Sequence, residues 1–209
     1  MVVSRKRNWS IVPTLLLNGH CIEECNTIKY LGINLTSDLM WSRHVQTVSQ
    51  KASRWLVGLL YRQFYPYADT NTMKHLYLML IRPHLEYAST VWDPFLQKDI
   101  QLLEKVQKYA AKVCTKQWNW SYEELLHTLL LPTLQVRHKI MKLILLYKYI
   151  NNLAYFSEPP LVQRQLCYLT RASHSCHLQY LNGHTCQYIF SFFPHSVRMW
   201  NELPASLPC

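Results

Sequence analysis

The residue types most able to do chemistry gather late in the chain: Cys167, His174, Cys176, His177, His184 and Cys186 are all potential zinc ligands. A zinc knuckle needs four ligands, normally seeded by a close Cys-x2–4-Cys pair. Cys167, Cys176 and Cys186 are too widely spaced for that seed. Cys21 and Cys25 have the spacing, but no second pair lies near them. Among carboxylates, Tyr67-Ala68-Asp69-Thr70 looks at first like a turn in which two adjacent aspartates grip a pair of divalent ions. The second position is Thr70, and no hydrophobic strand leads into it, so the match reads as chance. Gly-x-Ser-x-Gly, Walker and His-Glu-x-x-His patterns do not occur. Neither a catalytic residue nor a bound metal or cofactor is expected in this chain.

Cations are a better lead. Lys and Arg number 22 against 12 Asp and Glu, a formal charge of +10. Lys98, Lys105, Lys108, Lys112 and Lys116 fall within about a quarter-turn of one another at helical spacing, with an apolar stripe (Leu102, Val106, Tyr109, Ala110, Val113) opposite or nearly so. Such a row can follow a phosphate backbone, each lysine displacing condensed counterions; it is also what an ordinary solvated face looks like. Arg43, Lys51 and Arg54, with Arg62, form a weaker version earlier in the chain. There Trp41, Tyr61 and Tyr65 are expected to pack in the core rather than stack on bases.

The elements that must carry these residues change character near position 37. Before it, Val2-Val3 and the runs 14–17 and 27–35 favour strands, separated by Pro13, Asn18-Gly19 and a polar stretch, and suit two or three antiparallel strands. After it the period is helical. Helices are expected from Ser37 or Asp38 to about Phe64, from Asn71 or Thr72 to about Ile81 with Pro83 ending or kinking it, and over 98–116, 121–129 and 133–152. Leu39, Val45, Val48, Ala52, Trp55, Leu56 and Leu59 are the expected apolar face of the first. The predicted class is mainly α with a small N-terminal antiparallel β appendage. Its regions are a hairpin region over 1–36, a helical body over 37–157, and a looser extension over 158–209. Within the extension, 185–204 should be ordered as a short strand and a helical turn.

An odd cysteine count of seven and the lack of a secretory leader at the start point to a reducing, intracellular location; no apolar run approaches the ~20 residues that span a bilayer.

Several blocks in order carry a family resemblance: Lys29-Tyr30-Leu31-Gly32-Ile33; Thr36-Ser37-Asp38-Leu39-Met40-Trp41-Ser42-Arg43-His44; Lys51-Ala52; and Gly58-Leu59-Leu60-Tyr61-Arg62. Then come Leu80-Ile81-Arg82-Pro83-His84-Leu85-Glu86-Tyr87-Ala88-Ser89, Val91-Trp92-Asp93-Pro94, Leu103-Glu104-Lys105-Val106-Gln107-Lys108, Tyr122-Glu123 and Leu131-Pro132-Thr133-Leu134. Ser191-Phe192-Phe193-Pro194 and Trp200-Asn201-Glu202-Leu203-Pro204 close the series. Together they resemble the segment beyond the palm of jockey-like non-LTR retrotransposon reverse transcriptases.

The resemblance implies a palm end followed by a helical thumb. Tyr30, Leu31 and Gly32 would correspond to the primer grip, and the helices after Asp38 to the thumb that holds a template–primer duplex of RNA and DNA. The fingers and the catalytic aspartates with their Mg²⁺ would belong to missing upstream palm and fingers. Met1 would fall inside a palm strand, as in a truncated element copy or a frame begun at an internal methionine. The expectation is a nucleic-acid-binding chain without catalysis; the alternative is a helical protein-interaction or domesticated structural module.

Overall fold

The computed structural model describes residues 15–154 and 177–204. Over these the chain is mainly helical with a small antiparallel appendage, as the change of period near position 37 predicts. The appendage is two separate hairpins rather than one sheet. Asn18 and Gly19, both at positive φ, turn β1 (Leu16–Leu17) into β2 (His20–Cys21). Paired left-handed residues are what a two-residue hairpin turn needs. The run 27–35, read as one stretch, is broken by a second such turn at Leu31-Gly32, giving β3 (Thr27–Tyr30) and β4 (Ile33–Thr36). Gly32 takes φ 83 without a Cβ to clash, whereas Leu31 takes φ 45 with one. Val2-Val3 lies outside the described residues.

Helix α1 (Ser42–Trp55) starts later than the Ser37 or Asp38 expected. The Asp38 carboxylate instead accepts from the Thr36 hydroxyl at 2.6 Å and the Met40 N–H at 3.0 Å, and these bonds hold it below the usual carboxylate range. That local turn competes with a helical start. Leu39 follows in the left-handed region, an exposed loop residue rather than part of the helical face. Trp55, also expected on that face, is exposed, while Val45, Ala52 and Leu56 are buried as expected. The helix continues as a π-wound segment, Leu56–Phe64.

Asp69 proves to be a helix cap: its carboxylate accepts from the Asn71 and Thr72 N–H groups and starts α2 (Thr70–Leu76). This helix does not end before Pro83. It passes through a second π-wound stretch, Tyr77–Ile81, into α3 (Arg82–Glu86), where Pro83 occupies the opening turn. A proline is tolerated there because its missing N–H has no helical duty, and the wider π turns upstream accommodate the interrupted ladder.

After the short α4 (Ser89–Trp92), α5 (Gln97–Thr115) runs through the core. Val106, Ala110 and Val113 are buried as expected, but Leu103, Gln107, Ala111 and Cys114 extend the buried face, and Leu102 and Tyr109 only border it. On the helix the stripe read from the sequence is centred only about a quarter-turn from the lysines, and it is the buried face that lies opposite them. Burial pushes the Cys114 thiol up to about 12. α6 (Tyr122–Leu129) and α7 (Leu134–Ile150) start within a residue of the expected positions, α6 on a Ser121–Glu124 capping box and α7 on a Thr133 cap after Pro132. At the C-terminal end the expected strand is absent. Thr185 caps α8 (Cys186–Ile189), and α9 (Phe192–Asn201) follows. α9 packs on α7 through a second small core of Leu146, Leu178, Val197 and Trp200.

Gln107, buried in the main core, ties three elements together. Its Oε1 accepts from the Tyr77 hydroxyl at 2.8 Å, and its Nε2 donates to the Pro132 carbonyl at 2.9 Å and the Tyr122 hydroxyl at 3.1 Å. Gln107→Leu keeps the volume but leaves those groups unmatched. The expected loss is about 2–3 kcal/mol of unfolding free energy, read from urea denaturation against the parent chain.

Candidate functional site

The residues expected to meet nucleic acid lie on outer helix faces. Lys98, Lys105 and Lys108 are exposed on α5, on the side away from its buried residues. Lys112, one turn on, is half-buried and donates to the Trp118 carbonyl at 2.7 Å. Lys116 is the left-handed residue that ends α5, and its ammonium lies 5.5 Å from the centre of the Tyr65 ring. On α1, Arg43, Lys51 and Arg54 are exposed; Arg43 also donates to the Thr27 hydroxyl at 3.0 Å, linking the helix to β3. Both basic faces turn away from the contact between α1 and α5. Of the aromatics expected inside, Trp41 and Tyr65 are half-buried against the core, whereas Tyr61 is exposed.

Tyr30, Leu31 and Gly32 form the outer end of the second hairpin and are all exposed, Leu31 at 72%. One bond fixes that end to the helical body: the Tyr87 hydroxyl donates to the Leu31 carbonyl at 3.1 Å. Within β4, the Asn34 N–H donates to His44 Nδ1 at 3.2 Å. Burial holds His44 below the ordinary histidine range.

A further cluster was not singled out by residue type. Asp93, just after α4, is bonded through one oxygen to His138 Nδ1 at 3.0 Å and through the other to Lys142 Nζ at 2.9 Å. His138 Nε2 reaches the Leu85 carbonyl at 3.1 Å. Both partners of that ring are acceptors, so the full set of bonds needs a proton on each nitrogen, the imidazolium form. Lys142 is 1% exposed and also donates to His195 Nδ1 at 3.1 Å. Burial of Asp93 is the largest influence on its carboxyl and pushes upward, but the bonds and charges of His138 and Lys142 together hold it below the usual range. Trp92 stands beside the cluster, its ring edge-on to His138 at 5.5 Å and to His44 at 4.9 Å, its Nε1–H donating to the Tyr87 carbonyl at 2.7 Å. The sequence held a signal: His138 and Lys142 are spaced one helical turn apart on a strongly helical segment. Their partner Asp93, distant in sequence, gave none.

A buried carboxylate, imidazole and amine resemble a catalytic set, but the cavity that Asp93 and His138 line measures about 10 Å³, room for a single water at most. The cluster joins α4, α7 and α9 and admits no substrate. Among the described residues no group of His, Cys, Asp and Glu is placed to hold a metal ion; Cys167, His174 and Cys176 lie outside them. Cys21, Cys25 and Cys186 are exposed free thiols. No described helix is long and apolar enough to cross a membrane. No protein-family profile, curated protein or solved structure matches the chain.

Two outcomes are expected for the joint. Lys142→Met leaves Asp93 buried with one cation fewer and is expected to cost about 3 kcal/mol or more of stability by denaturant titration. His195 gives a pH signature. Burial, reinforced by Lys142, lowers its pKa from 6.5 to about 4, so the unfolded chain takes up a proton that the folded one refuses. The stability this supplies is complete above pH 6.5 and declines as pH falls toward 4. His195→Asn, which keeps an acceptor for Lys142, should flatten the fall in melting temperature across that window, leaving the parts due to His44 and His84, whose pKa values are also lowered.

Proposed function

We propose that the chain is the carboxy-terminal part of a reverse transcriptase of the jockey-like non-LTR retrotransposon class. It holds a template–primer duplex of RNA and DNA and performs no nucleotide addition by itself. The ordered series of family-like blocks supports the class. The observation that carries the binding role is the exposed row Lys98, Lys105 and Lys108 on a long helix whose opposite face is packed into the core. A rigid support fixes the spacing of the ammonium groups, and across 98–108 the helix spans about 15 Å, enough to meet several phosphates. Arg43, Lys51 and Arg54 on α1 add a second basic face, with Lys112 and Lys116 at the far end of the α5 row. In this reading Tyr30, Leu31 and Gly32 seat the primer end against the palm. Palm and fingers supply the catalytic aspartates and Mg²⁺, and the site of action is inside the cell, in nucleus or cytoplasm.

A second reading, a helical protein-interaction module, draws on one observation. Val136, Ile140, Ile144 and Tyr147 form an exposed apolar stripe along α7. Salt dependence separates the two, because phosphate contacts weaken steeply with salt and an apolar docking face has no such slope.

For the purified chain, affinity for a blunt RNA–DNA duplex should fall steeply with salt. Changing Lys98, Lys105 and Lys108 together to Gln should weaken binding alike at all sequences. The same change should reduce the slope of log affinity on log salt by up to roughly 0.9 for each phosphate no longer neutralised. A triple variant that binds like the parent at every salt concentration overturns the role of α5. Templated primer extension by this chain with Mg²⁺ or Mn²⁺ overturns the statement that it lacks catalysis.

A further inference from the structure

Where α5 ends, aromatic rings and lysines share one surface. Tyr61, on the π-wound continuation of α1, lies 5.1 Å from Tyr65 and 6.4 Å from Trp118, and Trp118 lies 5.8 Å from Tyr109 of α5. The cluster is held in place: Trp118 Nε1–H donates to the Tyr65 hydroxyl at 3.3 Å, the Trp118 carbonyl accepts from Lys112, and Lys116 sits over Tyr65. Yet it is not closed over. Tyr61 and Trp118 are each 40% exposed, although they pack nearly perpendicular to each other, an arrangement that uses an edge rather than stacking the faces.

Fixed, half-open rings beside ammonium groups are suited to one chemistry above others. Bases stack on aromatic faces irrespective of sequence, while lysines follow the linking phosphates. Lys108 is exposed one turn before Lys112 on the same side of α5, so the basic row leads into the aromatic cluster. Arg62, next to Tyr61, is exposed as well. The ring pairs and hydrogen bonds that build the cluster join aromatic and basic residues, with no carboxylate among them. Trp120, a little further on, is different: it lines a pocket of about 410 Å³ with Glu123 and Glu124, whose carboxylates repel phosphate. The site therefore ends at Trp118.

We propose that Tyr61 and Trp118 form a stacking site for the bases of single-stranded nucleic acid, with Lys108, Lys112 and Lys116 contacting its backbone. The proposal rests on the nucleic-acid reading above and extends it from duplex to an unpaired strand running past the end of α5.

The test compares a labelled oligothymidine with a blunt RNA–DNA duplex, by fluorescence anisotropy with the full chain. Tyr61→Ala should weaken oligothymidine binding about tenfold, within the range set by loss of one stacked base, and leave duplex binding unchanged. Tyr61→Trp should restore it. Tyr61→Gln, whose longer side chain still covers Tyr65, serves the same purpose should the alanine variant melt below the parent. Oligothymidine binding that survives Tyr61→Ala and Tyr61→Gln overturns the proposal, as does an equal loss for duplex and single strand. A parent that binds duplex but no oligothymidine overturns the stacking site and leaves the duplex reading standing. One that binds oligothymidine through Tyr61 but no duplex does the reverse.

Discussion

A carboxylate removed from water is tolerable only while cations and donors face it, and that constraint governs how the C-terminal half of this protein is put together. Asp93 is satisfied by His138 and Lys142, which lie one turn apart on α7, so the rotation of α7 about its own axis is set by the carboxylate. Lys142, itself buried, then needs its second acceptor, which α9 supplies through His195. The same corner reaches the other way through Trp92, whose indole fixes the Tyr87 carbonyl while the Tyr87 hydroxyl fixes the hairpin turn at Leu31. A chain of polar bonds and ring contacts thus runs from the tip of the second hairpin to the last helix.

Helix starts were readable where a side chain could serve only one purpose. The starts read at Ser121 and, after Pro132, at Thr133 fell within a residue of α6 and α7, and both residues prove to be side-chain caps with no competing local turn. Asp38 had a rival: Thr36 and Met40 offered its carboxylate a tighter local turn, and the helix began later. Pro83 marks a change of winding rather than the end of the helix, for a different reason. The rule against interior proline assumes α-winding, and the π turns before it were invisible to a pattern built on 3.6 residues per turn. The lysine row on α5 was legible because periodicity alone defines a face. The Asp93 joint was not, because its members come from distant positions and periodicity says nothing about which faces meet.

The main core is a hydrophobic one with a polar hub, and the two features act differently. Leu56, Ile81, Leu85 and Leu125 supply non-directional burial that many apolar residues of similar size would supply. Gln107 instead specifies register, since its bonds to Tyr77, Tyr122 and Pro132 exist in one arrangement of α5 against its neighbours. Burial, above all, raises both tyrosine hydroxyls beyond their ordinary range, which keeps them neutral across physiological pH, Tyr77 donating to Gln107 and Tyr122 accepting from it. α5 is thereby held in place along its length, which is what makes its outer face a fixed ruler of charge.

The backbone of this protein enters the left-handed region more often than its four glycines allow. Leu31, Leu39, Ala88 and Leu130 all adopt positive φ with a side chain attached, at roughly 1 kcal/mol apiece relative to glycine. Leu130 is plain in this respect: it closes α6 in the position where glycine is the usual choice, and 79% of it is in solvent. The chain consequently carries a reserve of recoverable stability at its turns. A lineage under pressure for robustness could draw on that reserve by single substitutions to glycine, without repacking a core residue or altering a surface charge.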